Sequence, residues 1–377
     1  MNTSTAQTPL YAWHVDHGGR MVDFAGWQMP VQYSSIREEH AASRQSAGLF
    51  DISHMGRLRF DGAGAVRLLD RLITRNIARV PLGGVAYGLI TNPQGGVIDD
   101  VLVYHLQDAA GATYYLVVVN AGNREKVIAW INAHHETADD VFWQDVSQSW
   151  AMIAVQGPLA ADVVGPLVEA DIATMKYYTA TETRIAGHGG IVSRTGYTGE
   201  DGFELFVGAG AVSAIWEDLY QRAKPLGGRP AGLGCRDTLR TEAGMPLYGH
   251  ELSETIDPFQ AGLRFAVDLE KDFIGRDALV QKKNAAAPLR RIGLLLAGRR
   301  VPRQGYAVLA ADKVVGEVTS GTFSPTLERP IAMAYVDHAE AKVGAELAID
   351  IRGRTEPARV VELPFYHRRK LQKESRA

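Results

Sequence analysis

Cysteine is almost missing from this chain. Cys235 is the only one in 377 residues, which excludes an intrachain disulfide and a thiolate metal cluster. Long apolar runs are missing as well, and stretches such as Tyr114 to Val119 fall far short of a membrane span. A net charge of -3 lacks the basic excess of a nucleic-acid surface. The residues before Pro9 are polar, without the apolar centre of a signal peptide, so the Asn2-Thr3-Ser4 sequon carries no meaning. Together these absences predict a cytoplasmic protein with neither membrane nor nucleic acid as partner. Local signatures are absent too. No His-x-x-x-His or His-Glu-x-x-His spacing occurs, so His134, His135, Glu136, Asp139 and Asp140 are not read as a metal site. Gly-x-Ser-x-Gly is missing, against an α/β-hydrolase nucleophile. Gly62-x-Gly64 lacks the third glycine of a dinucleotide fingerprint.

What is present is an ordinary globular composition, 46% hydrophobic and 22% charged, in a chain long enough for two or three domains. Residues 10 to 34 are rich in Gly and aromatics and read as strand and loop. Ser34 or Ser35 caps a helix over 36–47, ended by Gly48. A helical spacing covers 62–74. Segments 85–91, 97–104 and 114–119 alternate with Gly and Asn turns, as an antiparallel meander does. Helices are expected at 123–133, 159–168, 211–224 and 232–242, with strands at 151–155, 183–187, 190–194 and 203–207. Hairpins interleaved with helices indicate α+β rather than a parallel βαβ fold. After the composition change at 282–288, short strands alternate with Gly turns from Arg290 to Pro364, an all-β module, sandwich or barrel. The closing His367-Arg368-Arg369-Lys370 run reads as a solvated tail.

Three stretches carry chemistry. In Gly95-Gly96-Val97-Ile98-Asp99-Asp100 a Gly turn feeds a strand that opens on two carboxylates. Successive strand side chains face opposite ways, so Asp99 and Asp100 cannot share one environment. Either both belong to a frayed strand start, or one of them points into a pocket and needs a partner there. Tyr87 sits on the neighbouring meander strand. The second stretch, Arg194 to Glu204, gathers glycines and carboxylates around Tyr197, as a binding loop or as a Gly-rich hairpin. In the third, Arg236 and Arg240 lie four apart on one helical face, where either could clamp a carboxylate or pair with Asp237 or Glu242. His54 follows Asp51 and Ser53, but neighbours on an extended chain face apart, so a triad is not expected and His54 is read as structural. Acidic acceptors, an aromatic and an arginine suit a flat heteroaromatic ligand with N–H donors and an anionic tail.

These strings resemble the glycine cleavage system T-protein family, the aminomethyltransferases. The likeness rests on Phe50-Asp51-Ile52-Ser53-His54-Met55, the Gly95 to Asp100 stretch, Val119-Asn120-Ala121 and Gln156-Gly157-Pro158. It continues through Gly196-Tyr197-Thr198-Gly199-Glu200-Asp201-Gly202, Arg236 to Arg240, Leu247-Tyr248-Gly249 and Val318-Thr319-Ser320-Gly321. The resemblance implies a three-domain cloverleaf around a central folate channel, with mixed antiparallel sheets and a small C-terminal β-barrel. The expected units are 1–55 with 142–230, 56–141 with 231–285, and 286–377. It further implies transfer of an aminomethyl group from the lipoyl arm of the H-protein to tetrahydrofolate, with release of ammonia, and no metal. By motif, Asp100 is the catalytic pocket carboxylate and Asp99 its outward partner. Tyr87, Asn120, Tyr197, Glu204 and Arg236 would bind folate, and Tyr366 would line the lipoyl entrance. Arg303 is left to a structural role. A same-fold rival, folate-dependent demethylation of a sulfur or amine substrate, fits the Gly-Gly-x-x-Asp-Asp and Gly-Tyr-Thr-Gly-Glu-Asp-Gly strings less well. A folate-binding repair factor would carry Lys-Gly-Cys-Tyr-x-Gly-Gln-Glu, and residues 194–201 contain no cysteine.

Overall fold

The computed structural model describes residues 5–136, 140–285 and 287–368. The Asn2-Thr3-Ser4 sequon, Asp139 of the acidic cluster and the end of the basic tail lie outside them. Two large sheets face each other at the centre. The five-stranded one runs, edge to edge, Val85–Thr91, Val97–Gln107, Thr113–Val119, Gly56–Asp61 and Phe142–Asp145, antiparallel throughout. The six-stranded one runs Ala180–Ile185, His188–Ser193, Gly202–Gly208, Trp150–Gln156, Gly48–Asp51 and Arg229–Pro230, antiparallel except for its last pair. A three-stranded sheet, Ala6–Gln7, Trp27–Gln32 and Arg20–Phe24, packs beside them.

Period-two alternation builds this sandwich. Along Val97–Gln107, Val101 and Val103 join the core shared with the helices Ala65–Leu72 and Arg124–His134, whereas Tyr104 and Leu106 join the core between the two sheets. Asp100 stands on the same face as Tyr104, and Asp99 on the helix side. On the far side of the six-stranded sheet, Ile153, Val155 and Leu205 pack against Val163, Ile215 and Trp216 of the helices Ala160–Val164 and Val212–Ala223.

Local chemistry sets the boundaries. The helix Ile36–Gln45 starts where Ser35 Oγ accepts from Glu38 N at 3.2 Å, with Glu38 and Glu39 in its first turn. Before the strand Val97–Gln107, Gly95 takes φ +79°, and a Cβ on Gly96 would lie 1.8 Å from the Glu254 carbonyl oxygen. Only glycine fits there. The third unit is a closed six-stranded barrel of Leu289–Leu296, Arg329–Asp337, Lys313–Ser324, Ala307–Ala310, Glu346–Asp350 and Thr355–Val361, filled by Leu294, Val308, Ile349 and Val360. Its strands match those expected after Arg290.

The α+β class is as the sequence indicates, and the C-terminal module, read as sandwich or barrel, is the barrel that the family resemblance implies. Three local readings change. Residues 10–34 contain a helix, Tyr11–Asp16, beside the expected strands, and its six residues are too few to display a helical period. A further helix, Arg276–Asn284, precedes the barrel. A strand not expected from the sequence, Phe142–Asp145, pairs with Gly56–Asp61 at the edge of the five-stranded sheet.

The barrel is tied to the sandwich through Glu242, at the end of the helix Leu233–Glu242. Its carboxylate accepts from Arg44 Nη2 at 2.8 Å, from Thr326 Oγ1 at 2.8 Å and from Ser324 Oγ. No helix among the described residues is long and apolar enough to cross a membrane.

Candidate active site

A cavity of about 710 Å³ opens between the two central sheets, the helix Leu233–Glu242 and the segment that follows it. Sheet register delivers its carboxylate. Leu102 pairs with Val118 and with Tyr87, and extending that register sets Asp100 opposite Asn120 and diagonal to Tyr87, all on one face. Tyr87 Oη donates to Asp100 Oδ2 at 3.1 Å, and Asn120 Nδ2 donates to Oδ1 at 2.8 Å. Burial raises the Asp100 pKa, while these two donors pull the other way.

Asp99 is not the outward partner. It is 0% exposed, because its face of the strand is covered by the start of the helix Arg124–His134. There it accepts from Asn120 N at 3.0 Å, Asn120 Nδ2 at 2.8 Å and Asn123 Nδ2 at 2.6 Å. The Asn120 amide therefore bridges both carboxylates.

Glu204, on Gly202–Gly208, enters the cavity from the opposite sheet and accepts from Thr195 Oγ1 at 2.5 Å. Burial raises its pKa, against Thr195 and the Arg236 charge. Tyr197 donates its hydroxyl to the Pro246 carbonyl, and the Arg236 guanidinium sits 4.7 Å from its ring centre. The two helix arginines part company. Arg240 is 1% exposed and bonded to Asp237, Glu251 and Ser320 at 2.8, 2.9 and 2.7 Å. The Arg236 side chain lines the cavity with no hydrogen bond or ion pair among the described residues, and its guanidinium donors are free for a ligand.

Asp100, Tyr87, Asn120, Tyr197, Glu204 and Arg236 thus meet in one cavity. Tyr366 does not line it. Its hydroxyl donates to Glu200 Oε1 at 2.6 Å, and Arg44 lies 3.9 Å from its ring centre. Arg303 has an exposed side chain, and its carbonyl closes a turn with Tyr306 N. Asp51, Ser53 and His54 form no triad. Asp51 pairs with His14 Nε2 at 3.0 Å and accepts from Ser53 N, while His54 turns to the cavity.

Phe265 and His54 are among the further residues that line the cavity and that the sequence reading does not place in a site. Phe265, 63% exposed, stacks on Tyr87 with centroids 5.9 Å apart. It lies in an irregular segment where no period reports burial. His54 sits at the crossover between two strands of different sheets, a placement that no local sequence period reports.

A family model described as the GCVT N-terminal domain matches residues 10–271, and one described as the glycine cleavage T-protein C-terminal barrel domain matches 290–367. The chain belongs to the glycine cleavage T-protein family. As a member it is an aminomethyltransferase, and its relatives bear that name. The chain is 48% identical to the aminomethyltransferase of Streptomyces avermitilis over 369 residues, 96% of this chain and 98% of that one. It is 47% identical to that of Moorella thermoacetica over 365 residues, 97% of this chain and 98% of that one. Among solved structures, glycine cleavage system aminomethyltransferase T from Bartonella henselae superposes with a TM-score of 0.90 at 31% identity, covering 97% of this chain and 99% of that one.

Proposed function

We propose that this aminomethyltransferase takes the aminomethyl carbon from the lipoyl arm of the glycine cleavage H-protein and passes it to tetrahydrofolate. The products are 5,10-methylenetetrahydrofolate, ammonia and the dihydrolipoyl carrier. The observation that carries this reading is that one cavity holds both Asp100, held by two neutral donors, and Arg236, whose side chain has no ion pair among the described residues. Its volume, about 710 Å³, lies in the range of sites that enclose a ligand of folate size.

The chemistry follows from the residues. Loss of sulfur from the aminomethyl thioether leaves an iminium-like carbon, which folate N5 attacks with its lone pair. N10 then displaces the nitrogen, so the two folate N–H protons end on the thiolate and on the departing ammonia. Asp100 stabilises the cationic carbon, an effect on the order of 3 kcal/mol for one well-placed group. With its proton affinity raised by burial, it also carries a proton between these partners, a gain of roughly 10²–10⁴-fold. Glu204 accepts from the pterin N–H groups, and Arg236 supplies donors to an acceptor or anionic part of the ligand. Tyr366, outside the cavity, is assigned to the approach of the lipoyl arm with Arg44 and Glu200 beside it.

The same reading makes the enzyme cytoplasmic, works without metal, and divides the chain into three units around the folate channel. Its test mixes the purified protein with aminomethyl-lipoyl H-protein and tetrahydrofolate and measures ammonia. Release that depends on both reactants is expected. Release without tetrahydrofolate dependence, or one-carbon transfer only from a methylated sulfur donor run in parallel, overturns it.

A further inference from the structure

His54 is the buried histidine whose environment is unfinished. His14 and His40, the other two, have partners on both ring nitrogens. His14 bonds Asp51 at 3.0 Å and Tyr33 at 2.8 Å, and His40 bonds Thr238 at 2.8 Å and Thr326 at 2.9 Å. His54 is 4% exposed and lines the cavity, and its Nδ1 is sealed from solvent with no hydrogen-bond partner. Its Nε2 has no protein partner among the described residues either, yet it is not sealed. That nitrogen is the one open to the cavity. Only the edge of Phe24, with ring centroids 5.6 Å apart, packs against the imidazole as an aromatic neighbour.

Burial lowers the His54 pKa to about 3, with Arg236 and Arg57 adding to the effect and Asp51 opposing it. The ring is therefore neutral at pH 7, with one N–H and one bare nitrogen. Orphaned buried N–H groups are rarer than orphaned acceptors, so the sealed Nδ1 is bare and Nε2 carries the hydrogen. A donor thus points into the cavity where the acceptors Asp100 and Glu204 already stand and where Arg236 offers further donors.

We propose that His54 is a specificity-determining ligand contact, its Nε2–H donating to the ring carbonyl of a bound 4-oxopteridine. Together with Arg236 it reads the acceptor edge of the ring, while Glu204 reads the adjoining N–H edge. This assignment rests on the folate reading of the cavity. A pteridine with an amino group in place of the carbonyl meets donor against donor at that position. Sites built to hydrogen-bond a ligand group reject the mismatched analogue strongly.

The test compares dissociation constants for tetrahydrofolate and its 4-amino analogue in wild type, His54→Gln and His54→Phe. Wild type should favour the 4-oxo ligand by roughly tenfold or more. Glutamine, whose amide N–H reaches where Nε2–H stands, should keep most of that preference. Phenylalanine should bring the ratio close to one, chiefly by weakening tetrahydrofolate. An unchanged ratio in His54→Phe overturns the proposal. A second measurement needs no variant to fold. In the ¹⁵N-histidine-labelled wild type, tetrahydrofolate should shift the His54 imidazole resonances, and none moving at saturation also overturns it. Should wild type fail to bind tetrahydrofolate, the functional reading falls and this assignment with it. Binding and turnover with an unmoved ratio sinks this assignment alone.

Discussion

The Tyr87 hydroxyl donates to Asp100 Oδ2 across 3.1 Å. Burial pushes the Asp100 pKa up, and the Tyr87 bond holds it partly down. Tyr87→Phe removes that donor at little cost in volume, so the Asp100 pKa rises further. If the ionised carboxylate is the working form, activity falls as pH drops through that pKa. The acid limb of the pH–rate profile should then move to higher pH in Tyr87→Phe, with kcat lowered roughly tenfold at pH 7. Asp100→Asn should cost roughly 10²–10⁴-fold in kcat with thermal stability near wild type. An acid limb that stays in place in Tyr87→Phe would remove the hydroxyl from the role given to it.

Two arginines one turn apart make opposite predictions. Arg236→Gln should raise the tetrahydrofolate dissociation constant by roughly 10- to 100-fold, the size of a lost charge-assisted bond, and leave the melting temperature close to wild type. Arg240→Gln breaks a buried pair with Glu251, both side chains being at most 2% exposed, and should destabilise by about 3–5 kcal/mol. Calorimetric titration and denaturant unfolding on both variants check this. Equal folate affinity in wild type and Arg236→Gln would return Arg236 to a structural role.

Acid should separate the barrel from the sandwich. The Glu242 pKa falls from 4.5 to about 2, because the bonds and charges of His40 and Arg44 and the Ser324 hydroxyl outweigh the cost of burial. The Asp51 pKa falls from 3.8 to about 2, with the His14 bond and charge outweighing burial. A carboxylate with a depressed folded-state pKa contributes its full stability above its unfolded pKa and loses it as pH falls through the folded one. Lowering Glu242 from 4.5 to about 2 is worth on the order of 3 kcal/mol. Stability to urea should therefore drop between pH 4.5 and 2. Glu242→Gln, already lacking the ion pairs, should be less stable at pH 7 and show a shallower drop over that window. An identical pH slope in the variant would place the acid sensitivity elsewhere.

Much of this architecture was legible from periodicity. The meander 85–119 and the six barrel strands each carry alternation bounded by turn residues, and both form as read. Alternation allows one of two adjacent strand carboxylates to face a pocket, and the family resemblance, rather than the strand period, singles out Asp100. The direction of Asp99 is not legible, since what covers its face of the strand is the Asn120 to Asn123 stretch that leads into the helix Arg124–His134. Arg236 and Arg240 look equivalent on a helical wheel. Partners beyond the helix, Glu251 and the barrel's Ser320, decide which one is consumed by structure. His54 is read as structural on the premise of an extended chain, whereas the turn closed by Met55 N and the Ile52 carbonyl places it at the cavity. Tyr366 matched by motif, but Glu200 holds its hydroxyl outside the cavity.

Asp99 should matter through Asn120 rather than by contact with ligand. Among the described residues the hydrogen-bond partners of its carboxylate are N–H groups, two from Asn120 and one from Asn123, a set that favours the ionised acceptor. Burial and the neighbouring Asp100 charge raise its pKa, while those amides lower it. Asp99→Asn would turn one amide N–H₂ against donors already in place, leaving a buried group unsatisfied. The expected cost is about 1–3 kcal/mol of stability. With its anchor gone, the Asn120 side chain no longer fixes Asp100 Oδ1. Turnover should fall roughly tenfold or more, with the tetrahydrofolate dissociation constant changed far less. Asn120→Ala should reproduce the loss in kcat without the full loss of stability, because Asp99 keeps its bonds to the Asn120 backbone and to Asn123. If Asp99→Asn lowers stability but leaves kcat untouched, the carboxylate serves the fold alone and Asp100 needs no help from Asn120 to hold its orientation.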